Sequence, residues 1–468
     1  MFTIQKNKDY FDKIAENRAI WEKRNRFYHK YLEKYYSFII PSKSRVIEIG
    51  CGTGNLLNSV NPSYGVGVDF SSNMIEVAKK KYPHFKYIVA NIEELNLNEK
   101  FDYIILSDLV CSLYDVQKAF QKIYPLCYNH TRIVISNYNY LWEPVLKLAG
   151  FFGLKQKQPD QNWLTLTDIK KLLELENFEC IKTERKLLFP KYIPFLDFIL
   201  NRCLVNLPVF NNLNLVNFII ARPNMESISE HSVSIIIPAR NEKGNLENAI
   251  KRTPVFGSAQ EFIFVEGHSS DQTYEEMLRV KEVYKNKDIK VFKQSGKGKG
   301  NAVKEGFESA SGEILMILDA DLTTPPEELP KFYEALIHNR GEFINGCRLV
   351  YPMDKQAMRF LNLLGNKFFS FFFTYLLGQR LKDTLCGTKV LYKKDYIKIM
   401  ENRHYFGDFD PFGDFDLLFG AAKLNMKIVE IFIRYKDREY GQTQISRFKH
   451  GWLLIKMSLF AAKKIKFV

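Results

Sequence analysis

The 468-residue chain has few cysteines: seven, an odd number with no CxxC pair. That excludes a disulfide framework or a structural zinc cluster and fits a reducing cytosol. Low-complexity tracts and short-period repeats are missing, and the polar, helical start MFTIQKNKDYFDKIAENR is not a secretory signal. Nor is there an uninterrupted apolar run of the roughly 18 residues that a spanning helix needs. The nearest, Phe360–Leu377, is broken by Lys367 and carries Asn362, Asn366, Ser370 and Thr374 at every fourth position. That spacing draws a narrow polar stripe along a greasy helix and predicts one that lies on a membrane or packs on the protein. Acidic residues are absent from Tyr440 to Val468, where Lys456, Lys463 and Lys464 share one face among Trp, Leu, Ile, Met and Phe. Such an end predicts attachment to lipid headgroups; the alternative is a terminal helix docked on its own domain.

The net charge of +14 calls for an anionic partner. Its basic residues gather at the tail and at glycine-rich loops, with no recognisable nucleic-acid motif, so nucleic acid is not the expected partner. The expected location is cytoplasmic, peripheral at the inner face of the plasma membrane.

The length implies two domains of roughly 200 residues each. Strand-like and helical runs alternate over residues 45–140, the pattern of a parallel α/β sheet. A strand-like segment ends at LVNFIIARP, the polar stretch NMESISEH interrupts, and SVSIIIPARNE opens a second alternating series. The expected domains are residues 1–223 and 232–468, each a doubly wound α/β fold.

In the first domain, the strand Arg45–Ile49 runs into Gly50-Cys51-Gly52-Thr53-Gly54, where glycines let the backbone approach a ligand. A second strand ends in Asp69, a carboxylate able to accept ribose hydroxyls. The form E-x-G-x-G-x-G departs from the GxGxxG of nicotinamide dinucleotide binders and resembles the class I S-adenosylmethionine-dependent methyltransferases, over residues 40–220. The resemblance implies a Rossmann-like methyltransferase fold with S-adenosylmethionine as cofactor. It places Glu48, Gly50, Gly52 and Gly54 near the methionine part, Asp69 on the ribose, and Asn91 and Ile92 beside the adenine. Asn91 departs from the more usual acid. The methyl acceptor is not legible; an oxygen acceptor would need a base, and Asp108 or His130 could serve.

In the second domain, EILMILDADLTTPPEE ends an apolar strand in two acids one residue apart. Side chains two apart on extended backbone point the same way, so Asp319 and Asp321 are expected to project together. Facing carboxylates repel unless a cation lies between them, and Mg²⁺ or Mn²⁺ shared with a diphosphate suits them. The basic loop Gly296–Ala302 suits the same anion.

These stretches resemble the family 2 glycosyltransferases of GT-A nucleotide-diphospho-sugar transferase fold, over residues 232 to about 450, and within them the polyprenyl-phosphate sugar synthases. The resemblance implies that Pro238, Ala239, Arg240, Asn241 and Glu242 form the first nucleotide turn. Glu266 would meet the base, Lys299 belongs to a GKG loop, and Asp319-Ala320-Asp321 is the metal motif. Asp383–Thr388 resembles the subgroup's D-x-x-S-G-x element with Cys386 in place of a hydroxyl residue, and Arg438 and Thr443 would hold a phosphate. Either Asp414 or Asp416 could be a catalytic acid–base group. An alcohol acceptor needs such a base, whereas a lipid phosphate is already anionic.

The expected protein is thus bifunctional: metal-dependent, inverting sugar transfer from a nucleotide-sugar to a lipid-linked phosphate or glycan, joined to methyl transfer. The alternative is a glycosyltransferase whose first half binds the cofactor but is catalytically silent.

Overall fold

The computed structural model describes residues 4–156, 161–225, 229–351, 360–405, 414–438, 440–441 and 455–466. They form two compact units, one ending at Met225 and the other running to Lys466.

The first unit is built on a seven-stranded sheet: β1 (Arg45–Ile49), β2 (Tyr64–Asp69), β3 (Lys86–Val89), β4 (Phe101–Ser107), β5 (Cys127–Tyr138), β6 (Phe178–Lys186) and β7 (Val216–Pro223). The order is β3-β2-β1-β4-β5-β7-β6, with β7 antiparallel to both its neighbours. β1, β2 and β4 are buried almost throughout, Glu48 and Asp69 included, as strands covered on both faces are. β1 pairs with both β2 and β4, so the strand order reverses beside β1, where open α/β sheets bind ligands. At the antiparallel edge the fully buried Arg222 of β7 is ion-paired to Glu179 of β6.

The second unit repeats this plan with β8 (Val233–Ala239), β9 (Gln260–Glu266), β10 (Asp288–Lys293), β11 (Ile314–Ile317), β12 (Phe343–Cys347), β13 (Lys389–Tyr392) and β14 (Ile428–Phe432). The order is β10-β9-β8-β11-β13-β12-β14, with β13 antiparallel. Here the reversal falls between β8 and β11. The two α/β folds match the sequence expectation, except that each sheet is mixed and not wholly parallel.

The helix Phe360–Leu377 packs on its own unit. Phe369, Phe373, Leu376 and Leu377 join a core with Leu417, Phe419, Met457 and Ala461. The Phe373 and Phe419 rings stack at 5.4 Å. Two residues of the polar stripe turn inward: Ser370 Oγ and Thr374 Oγ1 donate to the Leu381 carbonyl at 2.7 and 3.1 Å. Ser370 and Thr374 therefore satisfy buried backbone, and the described part of the helix takes the packed reading; the side chains of Asn362 and Asn366 lie outside the described residues. The tail also docks. Met457, Ala461, Ala462 and Ile465 are buried in the same core, Lys464 lies over the Tyr405 ring and Lys466 over Tyr375, while Lys456 and Lys463 are exposed. Of the two readings of the tail, the described part takes the docked one. Among the described residues no helix is long and apolar enough to cross a membrane.

This packing sets a contrast between neighbours. Phe373→Ala should cost about 3–5 kcal/mol in urea unfolding of the full chain, as a buried ring left uncompensated does. Phe371→Ala, at a 74% exposed site, should change it by less than about 0.5 kcal/mol.

Candidate active sites

In the first unit the loop after β1 is set by three glycines at φ +76°, +50° and +76° (Gly50, Gly52, Gly54), the left-handed region that side chains disfavour. A side chain at Gly50 would strike Leu109 and one at Gly54 would strike Tyr87, whereas Gly52 faces open space. That space is a cavity of about 450 Å³, lined by Gly50, Gly52, Asp69, Asn91 and Ile92 among others. Asp69 Oδ2 accepts the Gly52 N–H and Oδ1 the Ser71 N–H, both at 2.9 Å, which fixes the carboxylate at the cavity wall. Burial raises its pKa, and these two bonds oppose the rise. Asn91 Oδ1 accepts the Glu93 N–H, while Asn91 Nδ2 is buried without a partner.

Two of the expected residues lie elsewhere. Gly54 and Glu48 are not among the cavity-lining residues. Glu48 is buried beneath the loop, where its Oε2 accepts the Leu57 N–H at 2.8 Å. Burial pushes the pKa of this carboxyl well above the usual range, with the Leu57 bond opposing, and the contact braces the helix Asn55–Ser59.

Of the two bases considered, Asp108 lines the cavity. Its Oδ2 accepts the Tyr28 hydroxyl at 2.5 Å and its Oδ1 the Ser136 hydroxyl at 3.2 Å, and burial raises its pKa. His130 instead pairs with Asp102 near the starts of β5 and β4, at the opposite edge of the sheet. Sequence reasoning missed Tyr28, Tyr138 and Lys155 on the cavity wall. Lys155 lies over the Tyr138 ring at 4.5 Å, and burial lowers its pKa. These residues come from separate segments, so no spacing announces them.

The second unit's crevice lies at the carboxyl ends of β8 and β11. β11 stops at Ile317, so Asp319 and Asp321 stand in a turn and not on extended strand, with Leu322 at φ +52°. The expectation that they project together from a strand fails for that reason. Each carboxylate is balanced by its own cation: Lys299 Nζ lies 2.6 Å from Asp319 Oδ1, and Arg438 Nη2 lies 2.6 Å from Asp321 Oδ2. Thr323 supplies its N–H and hydroxyl to Asp321 Oδ1 at 3.1 and 2.8 Å. Burial alone would raise Asp319, but Lys299, Lys389 and Arg348 outweigh it and hold the carboxyl below its ordinary range.

The surrounding elements explain the other motifs. A side chain at Gly387 would push against the Asp319 carboxylate and the Lys299 ammonium and displace their ion pair. Asp383, fully buried, grips Arg348 in two-pronged fashion at 2.7 and 2.8 Å and accepts its N–H at 3.0 Å. Lys299 opens the helix Lys299–Ser309 after Gly298 at φ +87°. In the Pro238–Glu242 turn, Pro238 and the buried Ala239 end β8, Arg240 is exposed, and Asn241 adopts φ +57°. Asn241 Oδ1 takes the Ser270 N–H at 2.8 Å, and Glu266 Oε1 takes the Ser269 N–H at 2.5 Å. The buried Ala320 sits between the two acids.

Arg438 also reaches Glu242 Oε1 at 2.9 Å, tying the first turn to the acidic one. Asp416 pairs with Arg403 at 2.9 Å, and Asp414 opens the same helix, its side chain outside the described residues, as is all of Thr443. Among the described residues no group of three or more His, Cys, Asp or Glu could hold a metal ion. Arg348, just after β12, and Lys389, which follows the Asp383–Thr388 element directly, were missed in the sequence because no spacing shows that they converge on Asp319.

Residues 20–183 match the family model of a methyltransferase domain, and residues 234–399 match that of glycosyl transferase family 2. The chain joins a methyltransferase domain to a family 2 glycosyltransferase domain. It is 27% identical over 225 residues to the undecaprenyl-phosphate 4-deoxy-4-formamido-L-arabinose transferase of Photorhabdus laumondii, covering 46% of this chain and 64% of that one. To the dolichol-phosphate mannosyltransferase of Pyrococcus furiosus it is 39% identical over 120 residues, covering 25% and 33%. The matched region thus spans less than two thirds of either relative. Among solved structures, glucosyl-3-phosphoglycerate synthase of Mycobacterium tuberculosis, in complex with Mn²⁺, UDP and product, is 16% identical, with 50% of this chain and 80% of that one covered and a TM-score of 0.37. At that similarity it bears on nothing in the chemistry here.

The glycosyltransferase crevice makes a prediction about pH. Burial raises Glu242 to about 7, with Arg438 opposing and Asp321 adding to the rise, against an ordinary value of 4.5. The folded state therefore holds this proton more tightly than the unfolded chain, and the associated stability is complete below pH 4.5 and lost as pH rises through 7. In urea titrations from pH 5 to 8, the wild type should lose stability relative to Glu242→Gln; parallel profiles would contradict the assignment.

Proposed function

We propose that the glycosyltransferase unit transfers a sugar, with inversion, from a nucleotide-sugar to a polyprenyl phosphate. We further propose that the methyltransferase unit carries a methyl group from S-adenosylmethionine to an acceptor of the same glycan-building pathway. The observation that carries the first reading is the pairing of Asp319 with Lys299 and of Asp321 with Arg438. Two carboxylates and two cations at the sheet's switch point are the complement of a metal–diphosphate, and both relatives named above act on polyprenyl-type phosphates by their names.

Hard oxygen donors on one turn fit Mg²⁺ or Mn²⁺, which is usually held by one or two carboxylates with phosphate oxygens and water completing the shell. Asp319 and Asp321 would hold it; when bound, it neutralises charge on the departing diphosphate. Lys299 and Arg438, exchanged from carboxylate to phosphate oxygens, contribute charge-assisted hydrogen bonds to the same group. The Pro238–Glu242 turn and Glu266 border the nucleoside. Arg348, locked by Asp383, keeps positive potential behind Asp319. The acceptor phosphate is already anionic at neutral pH, so its oxygen attacks the anomeric carbon without a protein base. Asp416, engaged by Arg403, then serves structure. A phosphate acceptor makes the inner face of the membrane the working location.

In the methyltransferase unit the glycine loop, Asp69 and the unpartnered Asn91 Nδ2 fit an adenosine group. The cofactor supplies an electrophilic methyl when bound. Asp69 keeps acceptor capacity for ribose hydroxyls, Asn91 donates to an adenine nitrogen, and Asp108, steadied by Tyr28 and Ser136, takes the acceptor's proton.

Purified protein given a panel of nucleotide-sugars, Mn²⁺ and undecaprenyl or dolichyl phosphate should yield a lipid-linked sugar. Chelator or Asp319→Asn should lower the rate by about 10- to 100-fold or more, and Asp416→Asn by no more than about threefold. A rate indifferent to chelator contradicts the metal role, and a collapse in Asp416→Asn contradicts the base-free mechanism. For the first unit, calorimetry with S-adenosylhomocysteine should show Asp69→Ala weakening binding by about 10-fold or more, as loss of charged hydrogen bonds does. Binding without methyl transfer to any lipid or glycan extract would make this unit a silent module.

A further inference from the structure

The cavity of the methyltransferase unit extends beyond the residues assigned to the cofactor. Those residues follow β1, β2 and β3: Gly50 and Gly52, Asp69, and Asn91 with Ile92. In the order β3-β2-β1-β4-β5-β7-β6 they sit on one side of β4. The lining continues on the other side. Tyr138 ends β5, Trp142, Leu146 and Lys155 come after it, Phe189 and Lys191 come after β6, and Leu215 directly precedes β7. Because β7 is antiparallel to both β5 and β6, these segments meet the sheet at the same edge as the cofactor loops. Asp108, just after β4, stands at the junction.

This second half has an apolar wall. Trp142, Leu146, Phe189 and Leu215 present hydrocarbon surface, and the indole Nε1 of Trp142 already donates to the Leu213 carbonyl at 2.9 Å. The polar side chains beside them hold partners of their own: Tyr28 donates to Asp108, Asn25 Oδ1 accepts from Lys191, and Gln156 Oε1 accepts from Arg18. A sugar ring, with hydroxyls all round it, finds few partners on such a wall, whereas an aliphatic or aromatic body suits it.

Cations border that wall. Lys155 lies over the Tyr138 ring at 4.5 Å. Lys191 donates to the Arg24 carbonyl and to Asn25 Oδ1 at 3.2 and 3.1 Å, neutral acceptors that leave its charge in place. Arg18 is balanced by Glu22 at 3.5 Å. Among the described residues the one acid lining this half is Asp108, and both its oxygens accept hydroxyls, from Tyr28 and Ser136. Burial lowers the pKa of Lys155 although Cys111 and Asp108 oppose it, so a further negative charge beside the ammonium would stabilise it.

We propose that this half of the cavity binds the methyl acceptor as an amphiphilic anion. Its aliphatic or aromatic body lies against Trp142, Leu146, Phe189 and Leu215, and its carboxylate or phosphate sits on Lys155. Asp108 and Lys155 act on each other's ionisation and are therefore neighbours, so the hydroxyl to be methylated lies next to the anchored anion. The proposal rests on the methyl-transfer reading of this unit and names the class of its acceptor.

Calorimetry on the full chain saturated with S-adenosylhomocysteine tests this with octyl phosphate, octanoate, 1-octanol and inorganic phosphate. Both octyl anions should bind at least tenfold tighter than 1-octanol, and octyl phosphate at least tenfold tighter than inorganic phosphate. The ratio between the two octyl anions identifies the head group that the site prefers. In Lys155→Met the preference for anion over alcohol should shrink to within threefold, and in Lys155→Arg it should persist. Both variants should bind S-adenosylhomocysteine within threefold of wild type. Lys147→Met, which removes a lysine paired with Glu143 and outside the cavity lining, should keep the preference. Equal affinity for alcohol and anions, no anion binding, or a preference that survives in Lys155→Met overturns the proposal. A tenfold loss of S-adenosylhomocysteine binding in both Lys155 variants also overturns it, assigning Lys155 to the cofactor's own carboxylate. Transfer of labelled methyl from S-adenosylmethionine to a lipid extract, with the products passed over an anion exchanger, separates the two readings. Label found only in unretained lipid sinks the acceptor class and leaves methyl transfer standing, whereas anion binding with no label transferred sinks methyl transfer alone.

Discussion

Asp319 and Asp321 stand on one turn, and the second unit supplies each carboxylate with a cation of its own. Lys299 comes from the helix after β10 and Arg438 from beyond β14, so the turn after β11 ties together segments far apart in the chain. Arg348 is too deeply buried to be left alone and is neutralised by Asp383, whose own backbone N–H is held by Glu430. Gly387 borders the set, where a side chain would push against the Asp319 carboxylate and the Lys299 ammonium. In the function proposed above, these cations would turn from the carboxylates to phosphate oxygens.

The two units place their sites at the same topological position yet solve opposite electrostatic problems. In the methyltransferase unit, Glu48, Asp69 and Asp108 all have burial as the leading influence and all have raised pKa values. They are satisfied by backbone N–H groups and hydroxyls, as suits recognition of hydroxyls and transfer of a proton. In the glycosyltransferase unit, arginine and lysine hold Asp319 and Asp383 below the ordinary carboxylate range against burial, as the proposed metal–diphosphate site would require.

Much of this was legible in the sequence. The buried strands announced themselves as apolar runs, and the glycines of the first loop do occupy left-handed backbone. What escaped was whatever depends on three-dimensional return of the chain. The DAD acids were read as strand residues because the apolar run gives no sign that pairing ends at Ile317. Ser370 and Thr374 read as part of a polar stripe that left a membrane-lying and a packed helix both open, because periodicity cannot reveal that the Leu381 carbonyl waits beneath them. Tyr28 was invisible as a partner of Asp108 across 80 residues. The tail's apolar residues suggested a membrane although the described ones fill the unit's own core.

The most direct test of the central claim is a crystal structure of the protein with Mn²⁺ and UDP or GDP. The account predicts the ion on Asp319 and Asp321, with Lys299 and Arg438 turned from those carboxylates to the diphosphate. Density showing both ion pairs intact and the crevice without nucleotide would contradict it.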